Sequence, residues 1–216
     1  MKPLSAVAFV VSCLFVSLAQ ADEPSVRIAL DASEVPPLQK WGEDARTLLL
    51  RWYPRIDNLL ATKGFKASRS VKLTIRKSDE GVAGTSGNSI VVSSHWIEKH
   101  PEDVGLAVHE LVHVIQAYPN GQPGWVTEGI ADYLRWAIYE GKPQSWFPRP
   151  KKPQGYKDAY RVAAGFLLWL ESDRAPGIVK KLNTAMRRGA YSDEFFADET
   201  GQPLDVLWDA YVAESR

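Results

Sequence analysis

Residues 109–113 read His-Glu-Leu-Val-His, with two histidines four positions apart and a glutamate directly after the first. Residues four apart on an α-helix lie about 40° apart around its axis and about 6 Å apart along it. His109 and His113 therefore point the same way, and both imidazoles can reach one metal ion at about 2.0–2.1 Å. Glu110 then lies beside the ion, where a carboxylate can take the proton of a bound water. The pattern is typical of a zinc site on a helix.

The residues around this motif are apolar on nearly every side of the predicted helix, which indicates that the helix is buried. These apolar neighbours are Val104, Leu106, Ala107, Val108, Leu111, Val112, Val114 and Ile115. Burying two imidazoles and a carboxylate without partners costs free energy, and a metal ion relieves that cost. We therefore favour zinc over the alternative, a pair of core histidines with other hydrogen-bond partners.

A catalytic zinc has three protein ligands and one open position, so the two histidines need a third partner. Glu128 lies 15 residues after His113, early on a second helix that we predict from about Trp125 to about Tyr139. A turn at 119–124 can bring this helix back across the first one. We expect Glu128 to complete a His-His-Glu site. The alternative is that Glu128 is only an acidic residue in a first turn, where the helix dipole favours it.

Asp132 follows Glu128 by four positions, so the two side chains share one face of the second helix. Histidine ligands usually donate their far nitrogen to a carboxylate, and we predict that Asp132 supports His109 in this way. The opposite assignment stays open, with Asp132 as the ligand and Glu128 as the support. Arg135 could pair with Asp132 or point into solvent.

The first 21 residues match a secretory signal peptide. Lys2 is a positive start, residues 4–18 form a nearly continuous apolar run, and residues 19–21 (Ala-Gln-Ala) are a small-x-small cleavage site. We expect cleavage after Ala21 and a secreted or periplasmic protein. The apolar run is short for a membrane span. A lipid anchor on Cys13 is the alternative, which we disfavour because apolar residues continue past it.

The expected mature chain, residues 22–216, has a size that suits one domain with one core. The only cysteine, Cys13, leaves with the signal peptide, so we expect no disulfide bond. With Lys2 removed, 25 basic residues face 26 acidic ones, which argues against a nucleic-acid partner. No later segment is long and apolar enough to cross a membrane, and we expect a monomer.

Alternating apolar residues predict three strands, at residues 26–30, 71–76 and 89–93. Residues 81–88 are rich in glycine and polar residues and are interpreted as a loop. We expect strand 89–93 to be an edge strand, against which an extended peptide can pair.

Apolar residues at helical spacing predict a first helix from about Pro37 to Gly64, kinked or divided at Pro54. Later helices are predicted around the metal motif from about 101 to 119, at 157–172, at 176–189 and from 203 onwards. Residues 142–153 contain four prolines and predict an extended loop. Within it, Trp146 and Phe147 either line a substrate groove or anchor the loop.

The sequence resembles the plant basic secretory proteins and their bacterial relatives, a family of secreted metallopeptidases. Residues 109–116 match the family's H-E-x-x-H-x-x-Q, and residues 128–135 (EGIADYLR) are close to its E-G-I-A-D-Y-V-R. Further similarity lies in Arg51-Trp52-Tyr53-Pro54, in Thr85-Ser86-Gly87-Asn88, and in a tail with Tyr160, Phe166-Leu167, Tyr191-Ser192-Asp193, Phe195-Phe196 and Leu207-Trp208. The departures are the proline-rich residues 142–153 and Gly165, where plant members tend to carry arginine.

The resemblance implies an α+β, zincin-like fold, with a small twisted mixed sheet packed on the metal helix and a helical C-terminal half. It also implies zinc-dependent hydrolysis of peptide bonds. In the related glutamate-zincins, an E-x-x-x-D pair supplies the third ligand and the aspartate that orients the first histidine. That supports Glu128 as ligand and Asp132 as support, although the spacing from His113 is short for that group.

Amide hydrolysis also needs a hydrogen-bond donor for the developing oxyanion. Tyr160 is our candidate, because it stands where the family's tail block begins. Tyr118 and Tyr156 are the alternatives.

The sequence therefore predicts a secreted zinc metallopeptidase that cleaves a peptide or protein substrate. His109, His113 and Glu128 are the expected Zn²⁺ ligands, and Glu110 is the expected general base. The alternative is a non-catalytic secreted protein that binds glycans or peptides, since the chain has eight tryptophans. Most of these tryptophans lie at core spacing, and a structural zinc site has no use for Glu110, so we favour the enzyme.

Overall fold

A computed structural model describes residues 25–79, 81–150 and 153–214. The expected signal peptide and its cleavage site lie outside these residues. The described chain is α+β, with a small sheet in its first half and mostly helices after it. The predicted fold class is confirmed at this level. No described helix has the length and apolar character needed to span a lipid bilayer.

The strands are β1 (Arg27–Asp31), β2 (Ser70–Arg76), β3 (Ala83–Ser86) and β4 (Ser89–Ser93). The α-helices are α1 (Gln39–Leu59), α2 (Ser94–Lys99), α3 (Gly105–Gln116), α4 (Gly124–Asp132), α5 (Tyr160–Trp169), α6 (Ile178–Arg187), α7 (Glu194–Thr200) and α8 (Leu204–Glu214). Single 3-10 turns cover Pro36–Leu38, Gln144–Trp146 and Gly155–Asp158, and π-helical segments extend α4 over Tyr133–Tyr139 and α5 over Leu170–Arg174. The short helices α2 and α7 are not among the predicted ones.

The four strands form one mixed sheet in the order β1-β2-β4-β3. β1, β2 and β4 are parallel, and β3 pairs antiparallel with β4. Alternate residues of a strand point to one face of a sheet, and β2 buries Val71, Leu73 and Ile75 on the face toward the core. This alternation is the pattern that predicts β2 from the sequence.

Two predictions about the sheet are wrong. The sequence predicts a loop over residues 81–88, but residues 83–86 form β3. Gly87 adopts a φ of 57° and begins a two-residue turn that folds β3 onto β4, so a strand poor in apolar residues still pairs. The sequence also predicts an edge at residues 89–93, but β4 lies between β2 and β3. The edge strand on this side of the sheet is β3, and β1 is the edge strand on the other side.

The sequence predicts a kink or a division of the first helix at Pro54, and α1 is not divided there, since it runs from Gln39 to Leu59. Pro54 lies on the exposed side of α1. The carbonyl of Leu50, which has no N–H partner at Pro54, lies on the same side, where water can replace the missing hydrogen bond. The opposite side of α1 packs Leu49, Trp52 and Ile56 into the core.

α3 is buried between α1, the strands β3 and β4, and α4. Eleven of its twelve residues are buried, and His113 is the exception, which agrees with its apolar flanks. Arg187 of α6 donates hydrogen bonds to the carbonyls of Ile115 and Gln116 at the end of α3. These contacts satisfy two of the last carbonyls of the helix and hold its C-terminal end in place.

α4 packs closely on α5 at Gly129. A methyl group added to Gly129 would lie 2.8 Å from Cβ of Ala163, which is too close without a shift of the helices. Gly129→Ala is therefore expected to lower the free energy of unfolding by about 1–3 kcal/mol, measured by chemical denaturation. Gly124→Ala in the same helix is the matched control, because no atom lies within 4 Å of that added methyl group. Equal stability of the two variants would contradict the close packing.

Candidate functional site

Three side chains from α3 and α4 converge on one point: His109, His113 and Glu128. The Nε2 atoms of the two histidines lie 3.1 Å apart. Oε2 of Glu128 lies 3.2 Å from Nε2 of His109 and 3.4 Å from Nε2 of His113. The helical repeat brings the two histidines to one face of α3, and the turn after α3 brings Glu128 opposite them.

These distances fit a tetrahedral metal ion. Ligand atoms about 2.0–2.1 Å from a tetrahedral ion lie about 3.3–3.4 Å from one another, close to the 3.1–3.4 Å between these three atoms. Two imidazole nitrogens and one carboxylate oxygen are a donor set that suits zinc. The three side chains also line an open cleft, so a fourth position can face solvent or substrate. The group could therefore hold a metal ion.

The far nitrogen of each histidine is held by another side chain. Nδ1 of His109 lies 2.8 Å from Oδ1 of Asp132, and Nδ1 of His113 lies 2.8 Å from Oε1 of Gln116. A carboxylate or amide oxygen accepts, so each Nδ1–H donates. This tautomer leaves both Nε2 lone pairs for a metal ion. The structure thus brings Asp132 to the nitrogen of His109 that faces away from Glu128.

Gln116 has no role in the sequence predictions beyond its place in the family block, yet it contacts His113. It is 1% exposed, and its Nε2 donates to the carbonyl of Thr127 at 3.0 Å. That second hydrogen bond fixes the amide so that Oε1 faces His113. The signal that could have found it is the spacing of three residues after His113, which puts both side chains on one side of the helix.

Arg135 does not pair with Asp132. Its guanidinium contacts Asp103, just before α3, and lies 3.4 Å from Glu140. It also covers the ring of Trp136 at 3.8 Å. The π-helical segment after α4 directs Arg135 toward the start of α3. Asp132 forms its hydrogen bond with His109 instead.

The pKa values of His109 and Glu128 are both shifted at this point. Burial lowers the pKa of His109, but hydrogen bonds to Asp132 and Glu128 outweigh burial and raise the pKa to about 9. Burial raises the pKa of Glu128, but hydrogen bonds from His109 and His113 outweigh it and lower the pKa to about 2. Glu128 is therefore ionised at neutral pH, as a metal ligand must be. A metal ion would take the place of the proton that His109 otherwise holds.

Glu110 is buried, with 7% of its surface exposed, and it lines the same cleft. The hydroxyl of Thr85 lies 2.7 Å from Oε2 of Glu110 and 3.1 Å from the backbone oxygen of Glu110. The sequence reasoning missed this contact because Thr85 falls in the segment interpreted as a loop. Only the pairing of β3 with β4 brings Thr85 against α3.

The candidate metal-binding group, His109, His113 and Glu128, lies in a cleft of about 1500 Å³. α3 lines the cleft along its length, from Leu106 to Gln116, and β3 contributes residues 83–85. Trp136 and Tyr160, the first residue of α5, also line the cleft. The cleft therefore runs along α3, with the edge strand β3 beside it.

Tyr160 stands at this cleft with 55% of its surface exposed. Its ring stacks near that of His109, with centroids 6.4 Å apart. The charge of Glu128 and partial burial raise the pKa of the Tyr160 hydroxyl, so the hydroxyl is protonated at neutral pH and can donate. The two alternatives are engaged elsewhere, since the hydroxyls of Tyr118 and Tyr156 each donate to another side chain.

Trp146 and Phe147 are not among the residues that line the cleft, which favours the second of the two alternatives for them, the anchoring of the loop. Phe147 is 4% exposed, and its Cβ would lie 2.8 Å from a methyl group added to Gly165. The arginine of plant members therefore has no room at Gly165 in this protein. Trp146 packs on Trp136 with ring centroids 4.6 Å apart. The proline-rich loop is anchored by these aromatic side chains.

Comparison with known proteins bears on what this site does. A family model described as BSP, peptidase of plants and bacteria, matches residues 7–211. Neither the curated proteins nor the solved structures contain a match to the chain.

Proposed function

Because the chain belongs to the BSP family of peptidases of plants and bacteria, we propose that it is a zinc metallopeptidase that hydrolyses peptide bonds. The family predicted from the sequence blocks is confirmed. The observation that carries the proposal is the group of three candidate ligand atoms, which lie 3.1–3.4 Å apart. Glu110 directly follows His109 in the chain. The family and the set of two imidazoles and one carboxylate both favour metal-dependent hydrolysis of peptide bonds.

In this proposal His109, His113 and Glu128 hold zinc, while Asp132 and Gln116 orient the two histidines. Zinc, when bound, supplies a Lewis acid for the scissile carbonyl and lowers the pKa of a water molecule. Glu128 is favoured over Asp132 as the third ligand because its Oε2 lies within 3.4 Å of both Nε2 atoms. Asp132 contacts only the far nitrogen of His109, at 2.8 Å.

Glu110 is the proposed general base. It takes a proton from the attacking water and then donates that proton to the amine that leaves when the C–N bond breaks. Tyr160 is the proposed hydrogen-bond donor to the oxyanion that develops on the carbonyl. Its exposed position at the cleft and its ring beside that of His109 support this role.

We assign substrate binding to β3 rather than to β4. An extended peptide can add to a free strand edge through backbone hydrogen bonds, and β3 is the edge strand at the cleft. The ten residue steps from Leu106 to Gln116 span about 15 Å, which accommodates about four extended residues. Peptides of at least this length are the expected substrates.

The proposal includes a zincin-like fold in a single domain over residues 22–216. The small mixed sheet with an antiparallel edge strand beside the metal helix supports the first point. One hydrophobic cluster that extends from β1 to α8 supports the second. The signal-peptide pattern of residues 1–21 supports export, to the periplasm or beyond the cell.

A peptide-library assay with matched metal controls tests the function. The zinc-loaded protein is expected to cleave peptides, to lose activity when a chelator removes zinc, and to regain it when zinc is restored. His113→Ala should be inactive and poor in zinc, whereas His95→Ala should match the wild type because His95 lies outside the metal-binding group. A fully zinc-loaded wild type that cleaves no peptide would overturn the proposal and favour a binding protein.

A further inference from the structure

We propose that Thr85 is a positioning residue that aims the carboxylate of Glu110 at the attacking water. The inference rests on the proposed peptidase function and extends it to a residue on the sheet. Its basis is the hydroxyl of Thr85, which lies 2.7 Å from Oε2 of Glu110. Within residues 25–79, 81–150 and 153–214, no other side chain forms a hydrogen bond with this carboxylate.

The hydrogen bond selects one of the two carboxylate oxygens. A hydroxyl carries a single proton, and a bond to an ionised carboxylate is shorter and stronger than a bond between neutral groups. Thr85 therefore donates to Oε2, and Oε1 of Glu110 remains free to accept a proton from water. Without this contact the terminal torsion of a glutamate is broad and roughly two-fold, so the two oxygens would exchange places.

The backbone oxygen of Glu110 gives the same hydroxyl a second acceptor, at 3.1 Å. When the carboxylate has taken up the proton of the water, it is a weaker acceptor. The Thr85 hydroxyl can then rotate toward the backbone oxygen without a shift of either side chain. Thr85 thus has a partner before and after the proton transfer, which keeps Glu110 in place through both steps.

Thr85 occupies a rigid part of the molecule. It pairs with Ile90 of β4, which is fully buried, so the backbone of β3 is fixed to the core at this position. The outer edge of the same strand lies at the cleft, where we propose that substrate adds. One short strand therefore both receives the peptide and orients the base.

The test compares Thr85→Val, which removes the hydroxyl and keeps the shape, with Thr85→Ser, which keeps the hydroxyl. Thr85→Val is expected to lower kcat about 10- to 100-fold with little change in KM, in zinc content or in the melting temperature. Thr85→Ser should retain most of the activity. Thr47→Val is the matched control, because it makes the same chemical change on an exposed side chain of α1, outside the residues that line the cleft.

A double mutant separates positioning from general structural damage. In Glu110→Gln protein there is no base to aim, so adding Thr85→Val should cause no further loss of residual activity. Additive losses, a fall in zinc content, or a Thr85→Val enzyme as active as the wild type would overturn the role of Thr85. An inactive zinc-loaded wild type would instead overturn the peptidase function itself, so the two failures are distinguishable.

Discussion

Glu110→Gln is expected to bind zinc as the wild type does and to lose about 10²- to 10⁴-fold in kcat. The amide has the shape of the carboxylate, and its oxygen can accept the hydrogen bond that Thr85 donates at 2.7 Å in the wild type. The three ligand atoms are untouched. What disappears is the basic oxygen that takes the proton of the water, so the loss should fall on kcat rather than on metal binding.

The measurement is the peptidase rate at saturating substrate, together with zinc per chain by elemental mass spectrometry. Glu98→Gln is the matched control, because it makes the same chemical change on an exposed side chain of α2 and should leave both readings unchanged. Peptidase activity retained by a zinc-loaded Glu110→Gln protein would remove Glu110 from the mechanism. A loss of zinc in that variant would show that Glu110 acts on the metal group instead.

Glu128→Ala is expected to lose most of its zinc, and its activity with it. Two imidazoles remain, and a catalytic zinc site needs three protein ligands. Asp132→Ala is the informative partner, because it leaves all three ligand atoms and removes only the acceptor 2.8 Å from Nδ1 of His109. Loss of such an outer hydrogen bond typically weakens metal affinity about 10- to 100-fold. The zinc affinity of the Glu128→Ala protein should fall by more than that range.

Zinc content after dialysis and a chelator competition titration measure both variants. A Glu128→Ala protein that keeps its zinc, beside an Asp132→Ala protein that loses it, would reverse the two assignments and leave the peptidase proposal standing. If the wild type took up no zinc at neutral pH, the proposed metal site would be wrong, and the peptidase assignment would rest on the family alone.

Predictions that depend on one helix agree with the structure. His109 and His113 share a face of α3 because the helical repeat places residues four apart on the same side. The same repeat directs Glu128 and Asp132 from α4 toward the two nitrogens of His109. Gln116 lies three residues after His113 on the same helix, so its contact with His113 could have been predicted from the sequence. Their roles in metal binding and catalysis stay predictions.

Where separate segments meet, the sequence left alternatives open that the structure decides. Arg135 contacts Asp103 rather than Asp132, and Phe147 packs against Gly165 instead of lining the cleft. In each case the residue that is contacted lies on a segment distant in the sequence. An aromatic or a charged side chain has several acceptable surroundings, and local spacing does not choose among them.

The sequence by itself determined that two histidines share one face of a helix beside a glutamate and that a carboxylate pair shares one face of the next helix, because backbone geometry within a helix fixes which side chains align. Its residue blocks also indicated the family. Only the tertiary structure decided that Thr85 reaches Glu110 and that β3, not β4, is the edge. β3 has little apolar alternation of its own, and its place comes from the Gly87 turn and the backbone of β4. Hydrogen bonding to β4, and not the side-chain pattern of β3 itself, places β3 beside α3.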